Sequence, residues 1–141
     1  MMKSSRLWRP LLAAASLALL AACSHQSMQQ SQAAPMSPAP AMMSQTPMGN
    51  VMTTPTGMTL YTFDKDAPGK SNCNGECAQY WPPLIAAAGS TATGNMTLIT
   101  RDDGRMQWAT AKGMPLYTYQ GDKAAGDTKG NNFHKEWHVV M

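Results

Sequence analysis

Short runs of alternating or β-branched residues recur beyond residue 50 and predict strands. These runs occupy residues 58–63, 97–100, 105–110, 114–119 and 137–140. Asp102-Asp103-Gly104, between the second and third runs, is a hairpin turn signal. Only residues 74–80 favour a helix, of about two turns, before Pro82 and Pro83 stop it. The pattern predicts an all-β or mostly β fold with one short helix near residues 74–80.

The predicted strands belong to an internal repeat. Residues 57–66 align with residues 113–122 at a spacing of 56 positions, and the same spacing carries Trp81 onto Trp137 without a gap. A spacing held over a whole unit indicates duplication of one supersecondary element. We therefore expect a small single domain over residues 51–141, built from two related β-hairpin-plus-loop repeats. Their predicted bounds are about 51–84 and 107–140.

The matched aromatic positions are the predicted core of this domain, because large rings bury more apolar area than any other side chain. Asp66 and Asp122 each follow one of the Tyr strands. We expect these carboxylates to accept backbone N–H groups and fix the loop that leaves the strand, in preference to a catalytic role. The matched rings are Tyr61 with Tyr117, Phe63 with Tyr119, and Trp81 with Trp137.

The N-terminus predicts export and lipidation. Three basic residues precede an apolar run of 10 residues, Leu11–Leu20, which is shorter than the roughly 20 needed to span a bilayer. Leu20-Ala21-Ala22-Cys23 follows and is typical of a lipoprotein signal at residues 1–22, with acyl chains such as palmitate on Cys23. The alternative is an ordinary secretory signal with a chance cysteine. Ser24, in place of aspartate, favours the outer membrane, with the domain facing the periplasm.

Charge argues against a nucleic-acid partner. The chain has 11 Lys and Arg against 8 Asp and Glu, but Lys3, Arg6 and Arg9 belong to the predicted signal. Removal of the signal leaves 8 basic and 8 acidic residues, without the clustered basic surface that nucleic acid requires. The expected partner is the membrane, through the lipid anchor, together with a protein or small molecule that the sequence does not specify.

Residues 23–50 predict a disordered tether. The stretch is rich in Met, Pro, Ser and Gln, has no acidic or basic residue, and shows no strand pattern. Thioether sulfur is a soft ligand that suits Cu(I), so copper is a possible cofactor, although compositional drift in a linker explains the methionines more simply. The methionines considered as copper ligands are Met36, Met42, Met43 and Met48.

Cys73 and Cys77 remain once Cys23 is lipidated, and an even count in an oxidising compartment favours a structural disulfide. A metal thiolate pair and a redox pair are the alternatives, although three residues separate the cysteines where the thioredoxin motif has two.

His134 and His138 are four positions apart and would clamp a metal on one helix face or one strand face. The simpler interpretation is that both are exposed residues of an edge strand.

These motifs together resemble a bacterial family of secreted-repeat lipoproteins with a Tyr-x-[Phe/Trp/Tyr]-x-x-Asp motif. The resemblance covers about residues 57–140, and the second repeat has Lys129 and Phe133 at the cysteine positions of the first. The family's biochemical function is unassigned, so the resemblance implies no catalytic residues. The motifs are Tyr61-x-Phe63-x-x-Asp66, Tyr117-x-Tyr119-x-x-Asp122, Cys73-Asn74-Gly75-Glu76-Cys77, Trp81-Pro82-Pro83-Leu84 and Trp137-His138-Val139-Val140.

Known nucleotide-binding, hydrolase and metalloprotease motifs are absent from the sequence, and we expect no enzymatic activity. The leading hypothesis is a non-enzymatic binding or structural module anchored in the cell envelope. A copper-handling protein that uses the methionines and His134 with His138 is the first alternative. A thiol redox protein that uses Cys73 and Cys77 is the second.

Overall fold

This computed structural model describes residues 40–141, which contain six short strands and two single-turn helical segments joined by turns and loops. The predicted signal at 1–22, the lipidation site Cys23 and Met36 lie outside the described residues. No helix within residues 40–141 is long and apolar enough to cross a membrane. The elements are β1 Met42–Thr46, β2 Gly49–Thr53, β3 Tyr61–Phe63, α1 Cys77–Tyr80, β4 Met96–Thr100, β5 Met106–Thr110, a 3-10 turn Phe133–Lys135 and β6 Trp137–Val139.

The mostly β prediction is confirmed, and β4 pairs with β5 around the expected Asp-Asp-Gly turn. The predicted strand over 58–63 is regular only at β3, and 114–119 forms isolated bridges, because these segments bond to several neighbours in turn. The helix is one turn long, where about two were expected. Gly75 has a φ of +58°, which is incompatible with a right-handed helix, so α1 begins after it.

The tether prediction is wrong at its C-terminal end, because residues 42–46 form β1. This strand depends on its partner more than on its own apolar pattern: β1 pairs with β2 over five residues. Ser44 Oγ lies 2.7 Å from Thr53 Oγ1, and Thr46 is buried and donates to the Gly49 carbonyl at 3.0 Å. Gly49, with a φ of +107°, closes the turn. The folded domain therefore begins before residue 50.

The two repeats exchange their Trp segments. In the centre, Tyr61 and Tyr117 each donate their backbone N–H to the other's carbonyl, at 2.8 and 3.0 Å. β3 of the first repeat then pairs with β6 of the second, so that Phe63 lies opposite Trp137. In the reciprocal contact, Thr118 N donates to Pro82 O at 2.9 Å. Each repeat is thus completed by a strand segment of the other.

Each hairpin is joined to this centre by a closed ring of three backbone hydrogen bonds. Leu60 donates to Met52 at 2.9 Å, Met52 to Val140 at 2.7 Å, and Val140 to Leu60 at 3.1 Å. The matched positions Leu116, Trp108 and Leu84 form the same ring, at 3.0, 2.8 and 2.9 Å, with Leu84 lying 56 positions before Val140. An apolar cluster that includes Leu60, Leu116 and Trp108 packs around these rings, and a second, mainly aromatic cluster surrounds Tyr61 and Tyr117.

Candidate functional site

Four aromatic rings form a stacked column at the junction of the repeats. Trp81 and Trp137 stand in the middle, 3.7 Å apart between ring centroids and 2° from parallel. Phe63 stacks on the outer face of Trp137 at 4.2 Å, and Tyr119 stacks on Trp81 at 4.3 Å. The matched rings therefore meet in one core, which the sequence predicts, and they alternate between repeats, which it does not.

The remaining pair of matched rings links the repeats through hydrogen bonds. Tyr61 donates its hydroxyl hydrogen to Asp122 Oδ2 at 2.7 Å, and Tyr117 donates to Asp66 Oδ2 at 2.6 Å. Burial first, and then the hydrogen bond to the carboxylate, raise the pKa of both tyrosines well above the ordinary value of 10.0, so both hydroxyls remain protonated donors. The Tyr and Asp of each motif are therefore satisfied by the other motif.

The second oxygen of each carboxylate holds the loop after its own strand. Asp66 Oδ1 accepts the Asn72 N–H at 2.6 Å, and Asp122 Oδ1 accepts the Lys129 N–H at 2.9 Å. This is the structural role expected from the sequence. Gly130 then donates its N–H to the Tyr61 hydroxyl at 3.2 Å, and a Cβ there would lie 2.7 Å from the Trp81 ring. Only glycine lets the backbone approach the column so closely.

The cysteines form a disulfide beside this column. Cys73 is fully buried in the aromatic cluster, and Cys77 is partly buried against it. At the position that matches Cys77, the second repeat has Phe133, whose ring makes an edge contact with Trp81 at 5.7 Å. Each repeat thus fastens the segment before its Trp by a different chemistry, a covalent bond in the first and an aromatic contact in the second.

An open cleft of about 460 Å³ lies along the column, between α1 and the 3-10 turn. Six of its lining side chains are aromatic, which is typical of a site for a largely apolar ligand. Tyr80 and Phe133 are the accessible walls, with 53% and 37% of their surfaces exposed. The lining consists of Phe63, Glu76, Cys77, Tyr80, Trp81, Tyr119, Phe133, His134, Glu136 and Trp137.

The 3-10 wall of the cleft is strained. Asn132, His134 and Lys135 have φ values of 59°, 53° and 61°, and they are the only non-glycine residues with positive φ in the described part of the chain. Such conformations cost of order 1–3 kcal/mol each and concentrate at ligand sites and switches. Here they turn His134 into the cleft lining, where its ring lies 4.4 Å from that of Phe133.

The charged residues of the lining are both acidic. Glu136 forms an ion pair with Lys65 at 2.7 Å, whereas Glu76, at the start of α1, forms no ion pair with any residue from 40 to 141. No Lys or Arg side chain lines the cleft. The site therefore combines an aromatic surface with the negative charge of Glu76, which no ion pair within residues 40–141 compensates.

The two histidines proposed as a metal clamp lie on different elements. His134 belongs to the 3-10 turn, whereas His138 lies in β6 and its Nε2 is 2.8 Å from Asp64 Oδ2. Lys135, between them, has a φ of 61°, so the backbone is neither a continuous helix nor a continuous strand from His134 to His138. The two histidines therefore share neither a helix face nor a strand face. Among residues 40–141, no three His, Cys, Asp or Glu side chains gather as metal ligands.

Arg101 is an organising residue that sequence reasoning missed. Its guanidinium is buried and donates to Ser71 Oγ at 2.9 Å, Gln107 Oε1 at 2.6 Å and the Cys73 carbonyl at 2.8 Å. Ser71 in turn lies 2.7 Å from the Tyr117 hydroxyl. The first repeat has Gln45 at the matching position, so the spacing of 56 gave no sign of this network.

These features define the protein as a tandem-repeat β domain in which two repeats complete each other around an aromatic column. A family model described as a secreted repeat of unknown function matches residues 42–85 and 97–141. The chain belongs to this family, as the sequence motifs indicated. The first match starts at the first residue of β1, and the second starts one residue after the start of β4. Both repeats therefore begin earlier in the chain than the predicted positions 51 and 107. Neither a curated protein nor a solved structure matches the chain. The family description indicates an extracellular or envelope location.

Proposed function

We propose that the protein is a non-enzymatic binding module, anchored in the cell envelope by a lipid on Cys23, that takes a small organic ligand in the aromatic cleft. The observation that carries the proposal is the cleft itself: about 460 Å³ lies within the range of small-molecule sites. The stacked column forms its floor, and the exposed rings of Tyr80 and Phe133 form its walls.

The charges of the lining favour a ligand with an apolar body and a protonated or quaternary amine. Glu76 supplies negative charge that no Lys or Arg of the lining neutralises, whereas Glu136 is already paired with Lys65. Aromatic side chains add to this preference, because a cation close to a ring face is stabilised by the ring's quadrupole. An anionic ligand would be repelled by the same residues.

Binding of two probes of equal shape tests the proposal. Benzyltrimethylammonium and its uncharged carbon analogue, neopentylbenzene, are titrated into the mature chain carrying Cys23→Ser and followed by NMR. We expect chemical-shift changes around Tyr80 and Phe133, with tighter binding of the cation. Glu76→Gln is expected to reduce that preference, whereas Asp102→Asn, an exposed carboxylate outside the cleft, leaves it unchanged.

Substitutions of the two exposed aromatic side chains of the cleft test whether the probes bind there. Tyr80→Ala and Phe133→Ala are expected to abolish binding, and Ile85→Ala, which removes an exposed apolar side chain outside the lining, is the matched control. Absence of binding by benzyltrimethylammonium at millimolar concentration, and by neopentylbenzene up to its solubility, would remove the binding role for this cleft. Equal affinities of the two probes would keep the role and reject the charge preference.

The anchor is tested separately in cells. Labelling with an alkyne fatty acid is expected to mark the wild-type protein, and Cys23→Ser is expected to release it unlabelled from the membrane fraction. Density separation of inner and outer membranes then tests the outer-membrane assignment. Recovery of unlabelled wild-type protein in the soluble fraction would exclude the lipid anchor.

A further inference from the structure

A second cavity, of about 240 Å³, lies where the first hairpin meets β4, and four of its lining residues are methionines. Its other lining residues include no His, Cys, Asp, Glu, Lys or Arg. This concentration of thioethers is unrelated to the aromatic cleft. The lining consists of Pro40, Ala41, Met42, Met43, Met52, Thr93, Gly94, Asn95 and Met96.

Strand pairing brings two of the thioethers together. Met43 of β1 lies directly opposite Met52 of β2. The backbone N–H and carbonyl of Met52 bond to Val140 and Leu60, away from β1, so Met43 and Met52 form a non-hydrogen-bonded pair. In such pairs the Cα atoms are about 4.5 Å apart and the side chains project from the same face at close range.

A third thioether comes from the second repeat. Met96 is the first residue of β4 and is buried in the apolar cluster against which Met52 packs. Met43 and Met42, the first residue of β1, are half exposed, so the group has a closed inner side at Met96 and an open outer side. The cavity is therefore open to solvent on the side of Met43, and the three thioethers line it together.

We propose that Met43, Met52 and Met96 bind one soft monovalent cation, Cu(I) or its analogue Ag(I), with Met42 at the rim of the site. Thioether sulfur is a soft ligand that prefers Cu(I), whereas zinc prefers the thiolate, imidazole and carboxylate groups that this lining lacks. Neutral sulfur ligands leave the positive charge of the ion unchanged, which suits a monovalent ion better than a divalent one. The site is distinct from His134 and His138, which lie on other elements.

The mature chain carrying Cys23→Ser, with its methionine methyl groups labelled with 13C, is titrated with Ag(I) and, without oxygen, with Cu(I). The expected result is one tight equivalent that shifts the Met43, Met52 and Met96 methyl signals and leaves Met114, outside the cavity, unchanged. Zn(II) is expected to produce no shift. Met43→Leu preserves size and should weaken the affinity about tenfold or more, and Met114→Leu is the matched control.

Met43 is half exposed, so Met43→Leu retains the fold and a negative result is informative. Shifts confined to the methionines before residue 40 would overturn the proposal, as would an affinity that Met43→Leu leaves unaltered. Binding of Zn(II) with equal strength would also overturn it, because these thioethers would not then be the ligands. None of these outcomes depends on ligand binding in the aromatic cleft.

Discussion

Tyr61 in the first repeat donates its hydroxyl hydrogen to Asp122 in the second, at 2.7 Å and within the core. The same motif operates in reverse between Tyr117 and Asp66 at 2.6 Å. Each Tyr-x-[aromatic]-x-x-Asp motif therefore donates one hydrogen bond to the partner repeat, through its Tyr, and accepts one from it, through its Asp. This reciprocity gives the spacing of Tyr and Asp a physical reason that does not involve catalysis.

Tyr61→Phe is expected to lower the free energy of unfolding by about 1.5–3 kcal/mol, because a buried carboxylate loses a hydrogen-bond donor. The Gly130 N–H loses its acceptor as well. Urea denaturation of the Cys23→Ser chain measures the loss. Tyr80→Phe is the control, since Tyr80 is largely exposed and its hydroxyl has no hydrogen bond within residues 40–141. Equal stabilities for the two variants would contradict the role assigned to the Tyr61 hydroxyl.

The sequence predicts which positions are equivalent but does not predict which of them touch. A spacing of 56 residues identifies Tyr61 with Tyr117 and Trp81 with Trp137, and the core of matched rings follows from it. Pairing within each repeat and exchange between repeats give the same sequence pattern. The exchange becomes visible in the register of β3 against β6 and in the reciprocal bond from Thr118 to Pro82.

The sequence pattern predicts neither β1 nor the aromatic cleft, and the reasons differ. β1 reads as a polar, Met-rich continuation of the tether, and it is ordered by pairing with β2. The cleft combines Tyr80, outside the repeat motif, with Phe133, whose backbone neighbours adopt positive φ. No hydrophobic periodicity signals a conformation of that kind, because tertiary contacts impose it.

The exchange of segments predicts that the two repeats unfold together. Trp137→Phe reduces the stacking on Trp81 and is expected to cost about 1–3 kcal/mol. Hydrogen exchange should show the same loss of protection at the Leu60 and Leu116 amides, which occupy matched positions in the two hairpin junctions. A loss confined to Leu116 would show that the repeats are independent. Met141→Ala, at an exposed terminus, is the control.

The buried carboxylates predict that stability falls as the pH rises from mildly acidic to neutral. Burial raises the pKa of Asp66 and Asp122 above the ordinary 3.8, despite the opposing hydrogen bonds from the tyrosines and backbone. The folded state then holds these protons more tightly than the unfolded state, so their contribution is full below 3.8 and is lost as the pH rises through the raised pKa.

Denaturation midpoints measured between about pH 4 and pH 7 test this direction. Asp66→Asn and Asp122→Asn should each flatten the slope. Asp103 is the control: hydrogen bonds from Arg105 lower its pKa to about 2, so its contribution disappears only below the tested range. A stability that rises across this range in the wild type and is unchanged in slope in both variants would refute the prediction.

The disulfide is expected to stabilise the domain modestly. Replacing both Cys73 and Cys77 by Ser reopens a loop of about five residues, for which the entropic model gives about 2 kcal/mol. Phe133→Ala removes the matching aromatic fastening in the second repeat and provides a comparison without a covalent bond. Unfolding midpoints with and without reductant measure the effect. If the reduced and oxidised proteins unfold at the same denaturant concentration, the disulfide has no stabilising role.

Arg101 is expected to be among the most sensitive positions, because its buried guanidinium joins Ser71, Gln107 and the Cys73 carbonyl. Arg101→Met is expected to cost about 3–5 kcal/mol, and Arg101→Lys most of that, since an ammonium group does not reproduce the planar fork of donors. Arg105→Met, at the surface, should cost about 1 kcal/mol or less, although Arg105 also pairs with a carboxylate. Urea denaturation of the three variants measures the difference. Full stability of Arg101→Lys would show that charge alone, without the geometry of the fork, supports the network beneath Tyr117.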